Sequence, residues 1–397
     1  MTTASTNANG TDWQPVELAE RFSSLDLIRG LALFGVLIIN LLYFFRLSLF
    51  DHIFQFHSHS GLVNHSIDLA LAELVEFKAI NLFSLTFGVG VAVQAERAGL
   101  RGVRAELFLI RRFSILLLAG ACHMVLVANV DILMLYAVCG LILVLFLRLP
   151  TALLAVAGIA AIYLPNLIHG WPSEAELHAG AANAALIYPT GTYLAILEFR
   201  WHETLHLILP ILKSVAQHFF GLMLLGVAIW RCGVIQQPSR FRKLLWAIAL
   251  IAGLTGLLNT SVEVLAHENG SSLPVPLWFK YLGSNVPLAL AYGAALLAWR
   301  RSQTAMAITS PLVAAGRMAL TNYLTQSIVL SILFYGYGFR LFGRLDPQSA
   351  AAIGVIFYAV QLWFSAWWLR RFRFGPFEWV WRSLTYGRWV AIRNRIG

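Results

Sequence analysis

The chain is short of charge. Only 12% of its 397 residues are Asp, Glu, Lys or Arg, against about 25% in an average soluble protein. With 59% apolar residues and a mean hydropathy of +0.71, it has too little polar surface to cover a soluble domain. Lysine is scarcer still, 4 residues beside 25 arginines. Cysteine is nearly absent: Cys122, Cys139 and Cys232 each fall inside an apolar run, without metal-ligand spacing, and read as small buried hydrophobes. Together these shortages exclude a disordered protein, a disulfide scaffold and a secreted enzyme. What remains is an all-α, polytopic integral membrane protein.

Residues 1–24 form a polar segment in which Asp12, Glu17 and Glu20 face a single Arg21. That is not the cationic start of a signal peptide, and no small-residue cleavage site follows the first apolar run, which is expected to stay as a helix. A span needs about 20 apolar residues. On that basis ten runs qualify: 28–46, 77–95, 109–127, 131–147, 151–168, 208–230, 243–260, 281–299, 311–335 and 350–369. They make residues 25–371 one transmembrane domain, followed by a basic, aromatic tail at 372–397. The third and fourth runs, separated by a few residues around Asn129, predict a tight hairpin. The one long connection, 169–206, is rich in His and Glu; it is expected outside the bilayer, with an amphipathic piece near 193–206 lying on the surface or re-entering.

Alternate loops divide the cations unequally. Twenty Lys and Arg fall on one side, five on the other (Arg46, Arg200, Lys280, Arg340 and Arg344), and Arg29, Lys78, Lys213 and Arg317 lie in or against apolar runs. Positive charge stays in the cytoplasm. Both termini are therefore expected there, with an even number of spans in a bacterial inner membrane. The net charge of +10 then sets topology, and nucleic acid is not an expected partner; lipid is. Histidine takes the opposite side: His52, His57, His59, His65, His169, His178, His202, His206 and His267 all fall in outer connections. Zinc is the obvious alternative for His57, His59 and His65. Cysteine is missing there and no helix fixes a ligand pattern, so no metal is expected.

Ionisable groups inside a bilayer are costly and need a partner or a task. Asp26 and Arg29 stand three apart in LDLIRGLALFGVLIIN, the spacing of a salt bridge on one helix face; alternatively Arg29 faces an anionic ligand from the cytoplasm. Asn40 lies about three turns further along the same helix. Lys78 opens the second run, where it either snorkels to the headgroups or joins the ligand-facing cations. His123 ends the third run and Asp131 opens the fourth, so the hairpin sets them at one level. They form either a structural pair or a carboxylate-oriented general base. The stretch GRMALTNYLTQSIVLSILFYG strings Arg317, Thr321, Asn322, Tyr323, Gln326 and Ser327 along one apolar helix, as befits a bundle interior or a polar cavity. In GPFEWVWRSLTYG, Trp379, Trp381, Tyr386 and Arg382 read as an interfacial anchor.

At these motifs, together with FKAINLFSLTFGVG and HMVLVANVDILMLYAVCG, the chain resembles the YeiB-like (DUF418) family of bacterial membrane proteins over nearly its whole length. Its first helix also looks like that of the transmembrane acyltransferases, the acyltransferase-3 enzymes and heparan-α-glucosaminide N-acetyltransferase. Their LDxxRG pattern maps onto Leu25, Asp26, Arg29 and Gly30. That resemblance implies a transferase moving an acyl group from cytoplasmic acyl-CoA, such as acetyl-CoA, to a small-molecule or glycan acceptor across the membrane. Many acyltransferase-3 enzymes carry a functional His where this chain has Asn40; the heparan enzyme is similar in having Asn there, with its active His in the following loop, which points to His52. On this expectation His123 and Asp131 do the chemistry. Arg29 with Asp26, Lys78, Arg111, Arg112 and Arg317 hold the donor, and Asn40, Asn322, Tyr323, Gln326 and His52 meet the substrate. The competing expectation is a small-molecule transporter or lipid flippase, whose pathway the same buried polar groups would line. A homo-oligomer is compatible with either.

Overall fold

A computed structural model describes residues 22–54, 61–128, 131–165, 167, 170–268, 285–299 and 303–393, with the side chains of 52–54, 62, 263–268 and 303–305 left aside. The described residues are helical throughout, apart from turns and one isolated bridge between Phe372 and Arg393. In chain order the helices are α1 Ser23–Phe45, α2 Leu49–Phe54, α3 Leu62–Leu74, α4 Lys78–Leu100, α5 Ala105–Leu126 and α6 Ile132–Phe146. There follow α7 Thr151–Tyr163, α8 Glu174–Ile187, α9 Tyr193–Arg231, α10 Arg242–Glu268 and α11 Asn285–Trp299. The last are α12 Gln303–Ile308, α13 Ser310–Arg317, α14 Ala319–Phe334, α15 Pro347–Leu369 and α16 Pro376–Tyr386.

Within the described residues the ten apolar runs are largely helical, the 311–335 run being divided between α13 and α14. Six segments are long and apolar enough to cross a membrane, namely α1, α3 with α4, α5, α9, α10 and α15, while α6, α7, α11 and α14 are shorter apolar helices. Side chains such as Leu118, Leu145, Leu250, Ile356 and Trp363 are left exposed around the bundle. That is the surface a bilayer solvates and water does not.

Close backbone contact organises the centre. A Cβ on Gly316 would collide with the carbonyl of Asp26, and one on Gly30 with that of Leu312, so α1 and α13 cross with their backbones touching. Gly88 and Gly226 allow the same between α4 and α9, against Met223 and Leu85. Small residues at such crossings are the usual device of membrane helices, where packing has to supply what water exclusion does not.

Three elements differ from the periodicity. The 193–206 piece does not lie apart: it continues into the following run as one 39-residue helix, α9, through a π turn at Thr204–Ile208. The 311–335 run is broken at Met318, whose φ of −109° and ψ of 31° separate α13 from α14. The second run is preceded by α3 and starts sharply because Phe77 adopts φ 57°, a left-handed conformation rare outside glycine.

Helix α9 holds the C-terminal end of α5. Arg200 Nη1 donates to the carbonyl of Val125 at 3.1 Å and Tyr193 Oη to that of Leu126 at 3.0 Å.

Candidate functional site

α1, α4, α5, α6, α13, α14 and α16 enclose a chamber of about 250 Å³. Six arginines line it, Arg29, Arg97, Arg101, Arg112, Arg317 and Arg382, against two carboxylates, Asp26 and Glu378. The chamber is therefore a cationic site in a low-dielectric wall, where attraction for an anion is much stronger than in water.

Each arginine is placed by its neighbours. Arg29 lies 3.6 Å from Asp26 and donates to the Thr86 carbonyl at 3.0 Å. Gly90 gives it room, since a Cβ there would stand 2.7 Å from Arg29 Nη2. Arg112 Cζ sits over the Trp381 ring, 3.5 Å from its centroid, while the Arg112 carbonyl accepts from Trp381 Nε1 at 3.0 Å. The Nε atoms of Arg112 and Arg317 are buried and have no hydrogen-bond partner among the described residues, a donor arrangement suited to an anion. Of the carboxylates, Glu378 is already engaged: it accepts from the Thr321 amide at 3.0 Å and the Thr321 hydroxyl at 2.5 Å. Burial pushes its carboxyl above the ordinary glutamate range, more than the Thr321 hydrogen bonds pull it down.

The inner end of the chamber is aromatic. Phe83, Phe87, Phe113, Tyr136 and Tyr323 close it, with Phe87 5.6 Å from Phe113 and 5.2 Å from Tyr136 between ring centroids. Tyr136 is held by Ser84 at 2.7 Å. Tyr323, in the chamber wall, donates its hydroxyl to Asp131 Oδ1 at 3.0 Å.

Behind Tyr323 lies the hairpin pair. Asp131 is fully buried and caps α6, accepting from the amides of Leu133 at 3.0 Å and Met134 at 3.2 Å. His123 Nδ1 stands 3.3 Å from Asp131 Oδ1, off the line of a good hydrogen bond, and neither ring nitrogen has another hydrogen-bond partner among the described residues. Gly120 sets this distance: a Cβ there would meet Met134 N at 2.5 Å and Asp131 Oδ2 at 2.9 Å.

The structure thus brings together His123, Asp131, Tyr323, Arg29, Asp26, Arg112 and Arg317, all in or one residue behind the chamber. It separates the others. Lys78 is 1% exposed and gives a 2.7 Å hydrogen bond to the Ala72 carbonyl, away from the chamber. Asn322 and Gln326 face α15, bonding Ser365 at 3.0 Å and Gln361 at 2.8 Å, and act as interhelical links. Arg111 is exposed beside Gly387, and Asn40 opens the π turn of α1 outside the lining. The side chain of His52, with all of His57, His59, His169 and Lys280, lies outside the described residues.

Sequence reasoning missed the part played by the tail. α16 exposes Phe377, Val380 and Leu384 on one face, as an interfacial helix does. Its other face puts Glu378, Trp381, Arg382 and Tyr386 into the chamber wall. The signal was present: Glu378 and Arg382 stand four apart on the face opposite those apolar residues. Arg97 and Arg101, counted as loop charges, also line the chamber.

The arrangement couples an arginine-lined chamber to a phenol, a carboxylate and an imidazole in series. The family described as "Protein of unknown function (DUF418)" matches residues 229–388, from the end of α9 through α16. Relatives span almost the entire chain. The uncharacterized protein YeiB of Escherichia coli is 26% identical over 92% of this chain and 96% of its own. The uncharacterized 39.9 kDa protein in the amylase 3′ region of Bacillus acidopullulyticus is 28% identical over 95% and 97%. The uncharacterized protein YxaH of Bacillus subtilis reaches 31% identity over 96% of this chain and 98% of its own. With that likeness running from end to end, the chain belongs to the YeiB-like, DUF418 family of multi-pass membrane proteins.

Proposed function

We propose that the protein is a transmembrane acyltransferase, taking an acyl group such as acetyl from acyl-CoA and passing it to the hydroxyl or amine of a small-molecule or glycan acceptor. One observation carries the proposal: the arginine-lined chamber ends on Tyr323, and Tyr323 is bonded to the Asp131 that stands beside His123. The phosphates of CoA suit Arg29, Arg112 and Arg317, whose unpartnered Nε donors at Arg112 and Arg317 fit an anion. The apolar inner end suits the pantetheine arm and the acyl group, and His123, oriented by Asp131, deprotonates the acceptor.

The cation count of twenty to five supports a chamber open to the cytoplasm of a bacterial cell, with both termini on that side. Ten spans follow if the four shorter apolar helices cross beside the six long ones. The acceptor then approaches from the histidine-rich side.

Transport without chemistry is the second reading, favoured by the π turns in α1 and α9 and the break at Met318, since discontinuous helices flank many transporter sites. The deciding experiment incubates purified protein with acetyl-labelled acetyl-CoA and follows CoA release and protein-bound label in wild type, His123→Ala and Arg29→Ala. Release that depends on both residues supports acyl transfer. Absence of binding for acyl-CoA of any chain length removes it and leaves transport in vesicles to be tested.

A further inference from the structure

The proposed transfer sets a problem in proton bookkeeping. The acceptor loses a proton on one side of Tyr323 and the departing sulfur needs one on the other. His123 and Asp131 do not line the chamber, so neither reaches the sulfur directly. The arginines that do line it do not give up protons at neutral pH. Glu378 is held by Thr321, and Tyr136 is tied to Ser84 and the Ile80 carbonyl. Tyr323 alone among the chamber's polar groups joins both sides: its ring is part of the wall and its hydroxyl lies 3.0 Å from Asp131 Oδ1. Asp131 Oδ1 is in turn 3.3 Å from His123 Nδ1.

We propose that Tyr323 is a catalytic acid, protonating the sulfur that leaves the acyl donor and being resupplied through Asp131 with the proton His123 takes from the acceptor. This rests on the acyltransferase reading and goes beyond it by assigning the leaving-group step. The acceptor's O–H or N–H bond breaks as its heavy atom bonds to the acyl carbon, and the proton goes to His123. The C–S bond breaks with its electron pair on sulfur, which takes the phenolic proton. In the same step the proton on His123 passes by way of Asp131 to the phenolic oxygen. The sum is acyl thioester plus acceptor giving acylated acceptor plus thiol, with no oxidant or reductant. A phenolate beside the buried Asp131 carboxylate is unfavourable, so the two transfers run together and the tyrosine is never left charged.

The test compares wild type with Tyr323→Phe, which keeps the ring and removes the acid. Two donors are used: acetyl-CoA, whose sulfur is a basic leaving group, and the thioacetate of 4-nitrothiophenol, whose sulfur leaves without help. General acids contribute about 100-fold or more. Tyr323→Phe should therefore lose at least that much in kcat with acetyl-CoA and under about 10-fold with the aryl thioester, while CoA binding by calorimetry stays unchanged. Equal losses on the two donors in an active enzyme would overturn the assignment and leave Tyr323 a structural residue. If wild type releases thiol from neither donor, acyl transfer itself fails and this step falls with it. Should the phenylalanine variant not fold, 3-fluorotyrosine installed at position 323 keeps the hydrogen bond and makes the phenol more acidic. The basic limb of the pH–rate profile should then move to lower pH, and an unmoved limb overturns the proposal.

Discussion

Glu378 of α16 caps a helix it does not belong to: its carboxylate accepts the amide and hydroxyl of Thr321, at 3.0 and 2.5 Å, in the first turn of α14. Helix α14 starts directly after the break at Met318, where its leading amides lack intrahelical partners. One carboxylate thus closes the chamber and finishes the helix that carries Tyr323.

Glu378→Ala should lower the thermal midpoint, by an amount equivalent to about 0.5–1.5 kcal/mol for each of the two hydrogen bonds lost to Thr321. The same residue should give stability a pH dependence. Burial raises its carboxyl in the folded protein, so the folded state holds a proton that the unfolded chain has released. Stability is then fully present below the ordinary glutamate value and is lost as pH rises through the raised one. Melting curves of wild type and Glu378→Gln across that interval should converge at low pH and separate as the pH rises, the wild type losing more. Parallel curves would mean the carboxyl is not raised.

Two glycines separate folding from binding. Gly316 abuts the backbone carbonyl of Asp26, which has nowhere to move, so Gly316→Ala should abolish folded yield through the α1–α13 crossing. Gly90 abuts the end of the Arg29 side chain instead, at 2.7 Å, and a side chain yields. Gly90→Ala should give protein of near-normal stability whose affinity for CoA is reduced in the manner of Arg29→Ala. Gel-filtration yield and calorimetric titration with CoA would show both effects.

The arginines predict a salt-dependent site. Replacing Arg112 or Arg317 by Gln removes a charge-assisted donor worth about 1.5–3 kcal/mol, or roughly 10- to 100-fold in affinity for CoA. Wild-type affinity should also fall as salt is raised, because among the lining arginines Arg101 is exposed and Arg97 and Arg382 are half-buried. Salt-independent binding would place CoA elsewhere.

The helices were legible because a bilayer imposes one rule, long apolar runs with internally satisfied backbones, and each run carries it in the sequence. The hairpin pair of His123 and Asp131 was legible for a local reason, eight positions and one turn between them. The chamber was not. Tyr323 and Asp131 stand 192 positions apart, and Trp381 and Arg112 269, so no periodicity joins them. Lys78 misled because a cation at the head of an apolar run looks the same whether it faces a ligand or, as here, the Ala72 carbonyl. Asn322 and Gln326 share the helix of Tyr323 but sit on its α15 side, and whether a polar face meets a cavity or another helix depends on which partner packs there.

His123 and Asp131 should part company on mutation. Asp131 caps α6, receives the hydroxyl of Tyr323 and is fully buried. Asp131→Ala therefore removes a cap, costing about 1 kcal/mol, and strands a buried phenol, costing about 1–3 kcal/mol more. The variant should melt lower and be poorly recovered from membranes. His123 has no hydrogen bond to lose within the fold, so the small cavity left by His123→Ala should cost far less stability. The proposed acyl transfer should nonetheless vanish, because in that mechanism His123 is the group that takes the acceptor's proton. A His123→Ala protein as unstable as Asp131→Ala would show that the pair is there to close the hairpin, and the imidazole would lose its place in the mechanism.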